Sequence, residues 1–345
     1  MKKTNPFTLT FGKEPNLLIE RYENISQVTE TFLSGHPVSQ TYLIEGIRGS
    51  GKTVLMTTVS RRLAEDDRWV VVHLNPTMDL LSDFALRLEE ACRKTPRLLK
   101  KSFQLSVGGV GIGIGAEAGV PDPVGAIHSL MKQIRDKHKR VLITIDEVQH
   151  DQNMRVFASQ FQIFLREDNP LFLIMTGLYE NIHAIQNDPA LTFLLRAPKI
   201  RLEPLSMFQI RKKYGEVFAV DEDTAASLSA LTRGYAFAFQ ALGNVYWEMR
   251  DKKNMDQILS KLDDMLDDFV YAKIWSSLTE KEREIILAID ETETKVSDIC
   301  AALSMSSGSF SQYRDKLIRR GILTSPKHGY VALTLPRFSL IAKGY

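Results

Sequence analysis

The sequence predicts a three-layer α/β domain on a parallel sheet, followed by a small helical domain and a helix–hairpin tail. Three observations carry this. A short apolar run, Tyr42 to Ile44, feeds a glycine-rich loop and then a helical stretch from Val54 to Leu63. Apolar runs suited to strands covered on both faces recur through residue 205 and alternate with helical periods. From Ser206 the strands stop, and they return only as a final hairpin pattern.

The chain has 345 residues, enough for two or three domains, and the expected division is 1–205, 206–277 and 278–345. Its 44% hydrophobic and 25% charged content is that of an ordinary globular protein. No apolar run approaches the roughly 20 residues of a membrane span. The start, Met1 to Phe7, has basic residues without an apolar stretch behind them, so no secretory signal is expected. Cys92 and Cys300 stand far apart and outside any metal or redox spacing. A cytoplasmic protein with no membrane partner is expected. The net charge of +2 neither requires nor excludes nucleic acid.

In chain order, Phe7 to Pro15 reads as extended, with a helix then running to about Leu33 and stopped by Ser34-Gly-His-Pro. Next comes Gly46-Ile47-Arg48-Gly49-Ser50-Gly51-Lys52-Thr53, the phosphate-loop pattern with a strand before it and a helix after it. Glycines let backbone N–H groups approach phosphate oxygens, and the following helix through Val54 points its positive end at them. Lys52 supplies a charge for the β- and γ-phosphates, and Thr53 is placed to hold Mg²⁺.

A second strand, Trp69 to Leu74, and a helix from about Asp79 to Lys94 follow. The Val/Ile–Gly alternation at 103–115 reads as a hairpin or a partner-facing insert. Its Gly111, Gly113 and Ala116 spacing is not a dinucleotide fingerprint, because Pro121 and Pro123 stand where a helix should open. A helix from Pro123 to about Lys137 leads to Arg140–Val148, a strand running into Asp146-Glu147. Beside a phosphate loop, Asp146 can hold Mg²⁺ through its water shell and Glu147 can polarise the attacking water. Leu171–Gly177 is a fourth strand with Thr176 near its end. The stretch from Phe193 to Leu205 supplies a fifth.

Helical stretches over 223–231, 236–250 and 256–274 form the small helical domain. In the tail, Thr279 opens a helix ending near Asp290, a short one covers 295–303, and a third covers 306–320. Strands 322–324 and 330–333 flank a turn. This order predicts a winged helix-turn-helix, whose third helix offers Ser307, Ser309, Ser311, Gln312, Arg314, Arg319 and Arg320 to double-stranded DNA through 306–330. Ten Lys/Arg against eight Asp/Glu over 278–345 do not make a strongly basic domain, so DNA contact is the expectation and protein docking its alternative.

With these motifs in place, the chain resembles an AAA+-type phosphate-loop ATPase of the archaeal and bacterial group related to the replication-initiator (origin-recognition) and STAND ATPases. The resemblance rests on GIRGSGKT at 46–53 as Walker A and LITIDE at 142–147 as Walker B, and its architecture covers nearly the whole chain. It implies ATP/ADP and Mg²⁺ as ligands, ATP hydrolysis and a nucleotide-driven switch, with DNA, a protein partner or further copies of the chain as partners. The stretch 18–25 is similar to the family's N-terminal box, with Glu20 at its glycine position, and places Arg21 against the adenine. Thr176 resembles the sensor-1 position, and Arg196 the place of an arginine finger acting on a neighbouring subunit. Where such a lid usually carries a basic sensor-2 residue after its glycine, this chain has Tyr235, Ala236, Phe237. Arg233 before the glycine is the available substitute, and slow turnover is expected. The alternative to a DNA-linked switch is a nucleotide-bound signalling or scaffold module whose tail docks a protein.

Overall fold

The structure, a computed structural model, describes residues 4–10, 15–94, 122–249 and 254–345. The Val/Ile–Gly stretch 103–115 and the Gly111–Ala116 spacing lie outside these residues. The chain forms two compact units. One holds Tyr22–Glu45 and Leu55–Arg201, and the other Met1–Arg21, Gly46–Val54 and Leu202–Tyr345.

The first unit is built on a five-stranded sheet. Its elements in chain order are α1 (Tyr22–Leu33), β1 (Thr41–Glu45), α2 (Lys52–Ala64, its first residues counted with the other unit), β2 (Trp69–Leu74), α3 (Leu80–Lys94), α4 (Pro123–Asp136), β3 (Arg140–Ile145), α5 (Gln152–Arg166), β4 (Leu171–Gly177), α6 (Tyr179–Gln186), a tight helical turn Pro189–Arg196 and β5 (Lys199–Arg201). The strands run parallel in the order β2-β3-β4-β1-β5. β1 and β4 are buried along their whole length, which is why they read as unbroken apolar runs. One face packs Val72, Ile143 and Leu173 against Phe84, Ile127 and Phe157. Phe32, Tyr42, Trp69 and Phe172 make an aromatic cluster, with Arg140 lying 5.7 Å from the Phe172 ring centre. Asp122 caps α4 through the Gly125 N–H, and Asp151 caps α5 through the Met154 N–H.

The second unit is mostly helical. It contains α7 (Met207–Phe218), α8 (Glu222–Ala230), α9 (Ala236–Met249), α10 (Met255–Leu266), α11 (Ala272–Ser276), α12 (Glu280–Leu287), β6 (Thr294–Lys295), α13 (Val296–Ala302), α14 (Ser307–Arg319), β7 (Leu323–Thr324), β8 (Tyr330–Leu333) and α15 (Phe338–Ala342). The helix expected over 256–274 is interrupted by a wide turn at Asp267–Tyr271, which buries Tyr271 against Phe338. The hairpin gains a strand, giving an antiparallel sheet in the order β6-β8-β7. A single apolar core runs from Phe7 and Tyr214 through Phe239 and Tyr271 to Phe310 and Phe338. Phe7 from the N-terminal stretch sits among the Tyr214, Phe218 and Phe239 rings, and Gln240 bonds the backbone of Thr8 and Leu17.

Candidate functional site

The phosphate loop lies in the second unit, between the end of β1 and the start of α2. Gly49 and Gly51 hold φ of +75° and +95°, which only glycine adopts at little cost. A Cβ on Gly49 would stand 2.2 Å from the Tyr235 hydroxyl oxygen, so this position has no room for a side chain. Ser50 is 7% exposed, and its hydroxyl oxygen has no hydrogen-bond partner among the described residues. Such a buried polar atom is costly unless a ligand meets it. Lys52 is 8% exposed and donates to the Gly46 and Ile47 carbonyls, each at 3.0 Å. Thr53 and Val54 are half-buried in the first turn of α2. Open glycine backbone, a helix N-terminus, an unmet hydroxyl and a lysine on the loop fit a polyphosphate.

Three residues brace the loop, two through side chains and one through its backbone. Arg21 donates to the Glu203 carbonyl at 2.6 Å and to the Ser50 carbonyl at 3.2 Å. Burial lowers its guanidinium from the ordinary value, and the Glu203 charge partly offsets this. Arg21 thus holds the loop backbone. The Tyr235 hydroxyl donates to the Arg48 carbonyl at 2.7 Å, and the Phe237 N–H donates to the Gly49 carbonyl at 3.1 Å. Desolvation pushes the Tyr235 phenol well above its usual range and keeps it a donor. The positions expected for a basic lid residue are therefore occupied by an aromatic pair resting on the loop. Arg233, the candidate substitute, sits at φ +47° and turns toward the tail. It donates to the Leu333 carbonyl at 3.1 Å and pairs with the Glu291 carboxylate at 3.0 Å. Ile47 approaches the tail as well, 3.8 Å from the point where a Cβ on Gly321 would stand.

The other predicted residues lie in the sheet unit, with Asp146, Glu147 and Thr176 at the carboxyl ends of β3 and β4. The Thr176 hydroxyl, fully buried, donates to Asp146 Oδ1 and accepts from the Glu147 N–H at 3.2 Å. The Val148 N–H donates to the Thr176 carbonyl at 2.8 Å. Glu147 adopts φ +52°, an uncommon conformation for a residue with a side chain. One hydroxyl therefore gathers both acidic residues. Arg196 is exposed at the end of the tight turn before β5. At the end of β1, Glu45 is 7% exposed, and burial pushes its carboxyl up against the pull of Lys199, Arg201 and His183.

Tyr235, Phe237 and Glu203 complete the loop's surroundings. The sequence marks Tyr235 and Phe237 only as aromatic residues after Gly234 where a basic one is usual, and it does not mark Glu203. Nothing local links residue 235 to residue 48.

Residues 39–185 match a family model described as an AAA domain, and residues 268–340 match a domain of unknown function, DUF8462. No curated protein matches the sequence. Among solved structures, the chain is similar to a Walker-type ATPase of Pyrococcus abyssi at 12% identity and a TM-score of 0.67, covering 98% of this chain and 99% of that one. It is similar to the ORC2 protein of Aeropyrum pernix, determined as ADPNP–ADP complexes, at 14% identity and a TM-score of 0.61, over 97% and 96%. It is also similar to the ORC1 protein of Aeropyrum pernix in complex with DNA, at 15% identity and a TM-score of 0.50, over 96% and 92%. Residues 39–185 thus match an AAA domain, and the fold of the chain is the one these solved structures share.

Proposed function

From an AAA domain on an initiator-type fold, we propose that the chain is a slow, ATP-hydrolysing switch whose nucleotide state governs its C-terminal module. The observation that carries this reading is the loop: Gly49 and Gly51 at positive φ, an unmet buried Ser50 hydroxyl, and Lys52. In this reading the N–H groups from Gly46 to Val54 cradle the phosphates, with Ile47, Arg48 and Ser50 contributing backbone. Lys52 exchanges its loop carbonyls for the β- and γ-phosphate oxygens. Thr53 and Asp146 are the residues that would hold Mg²⁺, which would neutralise charge developing on the phosphates. Glu147 takes the proton of a water whose oxygen attacks the γ-phosphorus in line, as the bond to the ADP oxygen breaks. Thr176 orients Asp146 and Glu147, and Arg196 acts on the phosphates held by a second copy. Arg21 secures the loop and with it the adenine side of the site. Tyr235 and Phe237 in place of a basic lid residue, with Arg233 committed to Glu291, support slow turnover.

Replacing Lys52 with Ala should reduce ATP affinity at least a hundredfold in a fluorescent-nucleotide titration while the melting curve stays close to wild type. An affinity left intact would overturn the site assignment.

The C-terminal module is read as a winged helix. Its charges favour protein docking as the output over DNA. Lys316 and Arg320 are paired with the buried Glu282 at 2.9 and 3.3 Å, Arg314 lies on Asp315, and Lys327 pairs with Glu293. The cations needed to meet backbone phosphates are thereby largely engaged within the fold. A steep fall in duplex DNA affinity with rising salt would favour the DNA reading, because each neutralised phosphate adds to the slope. Weak, salt-insensitive retention would favour docking.

A further inference from the structure

We propose that Asp188 is a positioning residue for Arg196, and that His150 ties it to the segment following Glu147. This rests on the role given above to Arg196 on a second copy of the chain. The Asp188 side chain is 2% exposed yet takes three donors: His150 Nε2 at 2.7 Å, Arg155 Nε at 2.5 Å and the Ala190 N–H at 2.9 Å. These donors come from three different pieces of the sheet unit. His150 belongs to the stretch that leaves β3 after Glu147, Arg155 to the first turn of α5, and Ala190 to the turn that ends in Arg196. A buried carboxylate is tolerated only when its charge is met on several sides, so the three pieces are held in one register.

The turn itself needs such an anchor. It is a run of tight turns with a non-helical break at Leu191, and Pro189 contributes no N–H. Asp188 caps its start, Leu191 and Leu194 are fully buried beneath it, and Gln186 donates to the Leu194 carbonyl at 2.9 Å. What emerges is a fixed tip carrying Leu195, 57% exposed, and the exposed Arg196. An exposed leucine beside an exposed arginine on an anchored turn suits burial against a neighbouring molecule. A guanidinium that must meet developing charge loses rate steeply when displaced by about an ångström. The His150–Asp188 bond gives the Glu147 segment a direct hold on that tip.

The test uses the full chain and measures ATP affinity together with phosphate release across protein concentration. R196A should remove the concentration-dependent part of turnover. D188N and H150A should each lower that part on the order of tenfold with ATP affinity unchanged. H150Q, whose amide nitrogen can replace Nε2, should recover part of the loss. The D188N/R196A double variant should be no slower than R196A alone, because both changes act through one group. H150A leaves the Asp188 cap on Ala190 intact, so it remains informative if D188N folds poorly. Losses that multiply in the double variant would reduce Asp188 to a folding cap and overturn the proposal, as would full turnover in H150A. No effect of R196A would remove the trans-acting arginine, and this proposal with it. A loss in R196A alone would sink only the positioning role.

Discussion

Gly49 and Tyr235 show how far the loop depends on single residues. Gly49 combines φ +75° with a Tyr235 oxygen where its Cβ would be. Replacing it with Ala adds left-handed strain of about 1–3 kcal/mol and forces Tyr235 off the Arg48 carbonyl. A melting temperature several degrees lower and weaker ATP binding are expected. Removing only the hydroxyl, Tyr235→Phe, should cost about 1 kcal/mol. Because the two changes act on one contact, Tyr235→Phe should cost little more in the Gly49→Ala background. A Gly49→Ala protein that melts like wild type would contradict this packing. The glycine pattern was legible in the sequence because phosphate chemistry prescribes it. The reason Gly49 has no room for a methyl group was not, since that depends on Tyr235, far along the sequence. Arg21 teaches the same point. The similarity of residues 18–25 to the family's box picked it out, and only the fold shows its guanidinium on the Ser50 and Glu203 carbonyls.

Among elements, those with a strong local signal were legible. β1 to β4 show unbroken apolar runs, and α12 shows Thr279 with Glu282 three residues on, which the structure closes as a reciprocal cap. β6, two residues long, has no local signature and exists only because Thr294 and Lys295 meet Val331 and Tyr330. The α12–α14 junction yields a prediction of pH dependence. Glu282 is fully buried; burial alone would raise its carboxyl, but the Lys316 bond, the Thr279 N–H and the Arg320 charge together bring it below the ordinary 4.5. A lowered acid is charged more readily in the folded state, so its stabilisation is complete above about pH 4.5. It fades as pH falls through the lower folded value. The melting temperature should therefore drop in acid more steeply for wild type than for Glu282→Gln. At pH 7 that variant should lose about 2 kcal/mol, less than a fully buried pair would, because Lys316 is half-exposed. Parallel pH curves for the two proteins would refute the assignment.

For the molecule as a whole, the decisive fact is that one compact unit is assembled from three separate stretches and takes in the phosphate loop. Tyr235 reaches Arg48 across 187 residues of sequence. Two residues before it, Arg233 fastens to Glu291, which also accepts from the Arg337 N–H at 3.2 Å and the Ser339 hydroxyl at 2.7 Å. Tyr271, stacked on Tyr235, donates to the Pro336 carbonyl at 2.7 Å. The loop, residues 232–237 and the segments around Glu291 and Pro336 therefore form a continuous set of bonded and packed groups, a route along which coupling is open to test. Ligand held by the loop should slow opening of whatever opens with it. At a concentration a hundredfold above Kd, the stabilisation is about 2.7 kcal/mol, or roughly a hundredfold in hydrogen exchange. That protection should appear at the Phe237 amide, which bonds the Gly49 carbonyl, and extend through 232–237 into the segment around Glu291. It should vanish in the Lys52→Ala protein. Protection confined to 46–54 would mean that the tail does not sense the nucleotide, and the switch reading would fail even if ATP binds and is hydrolysed.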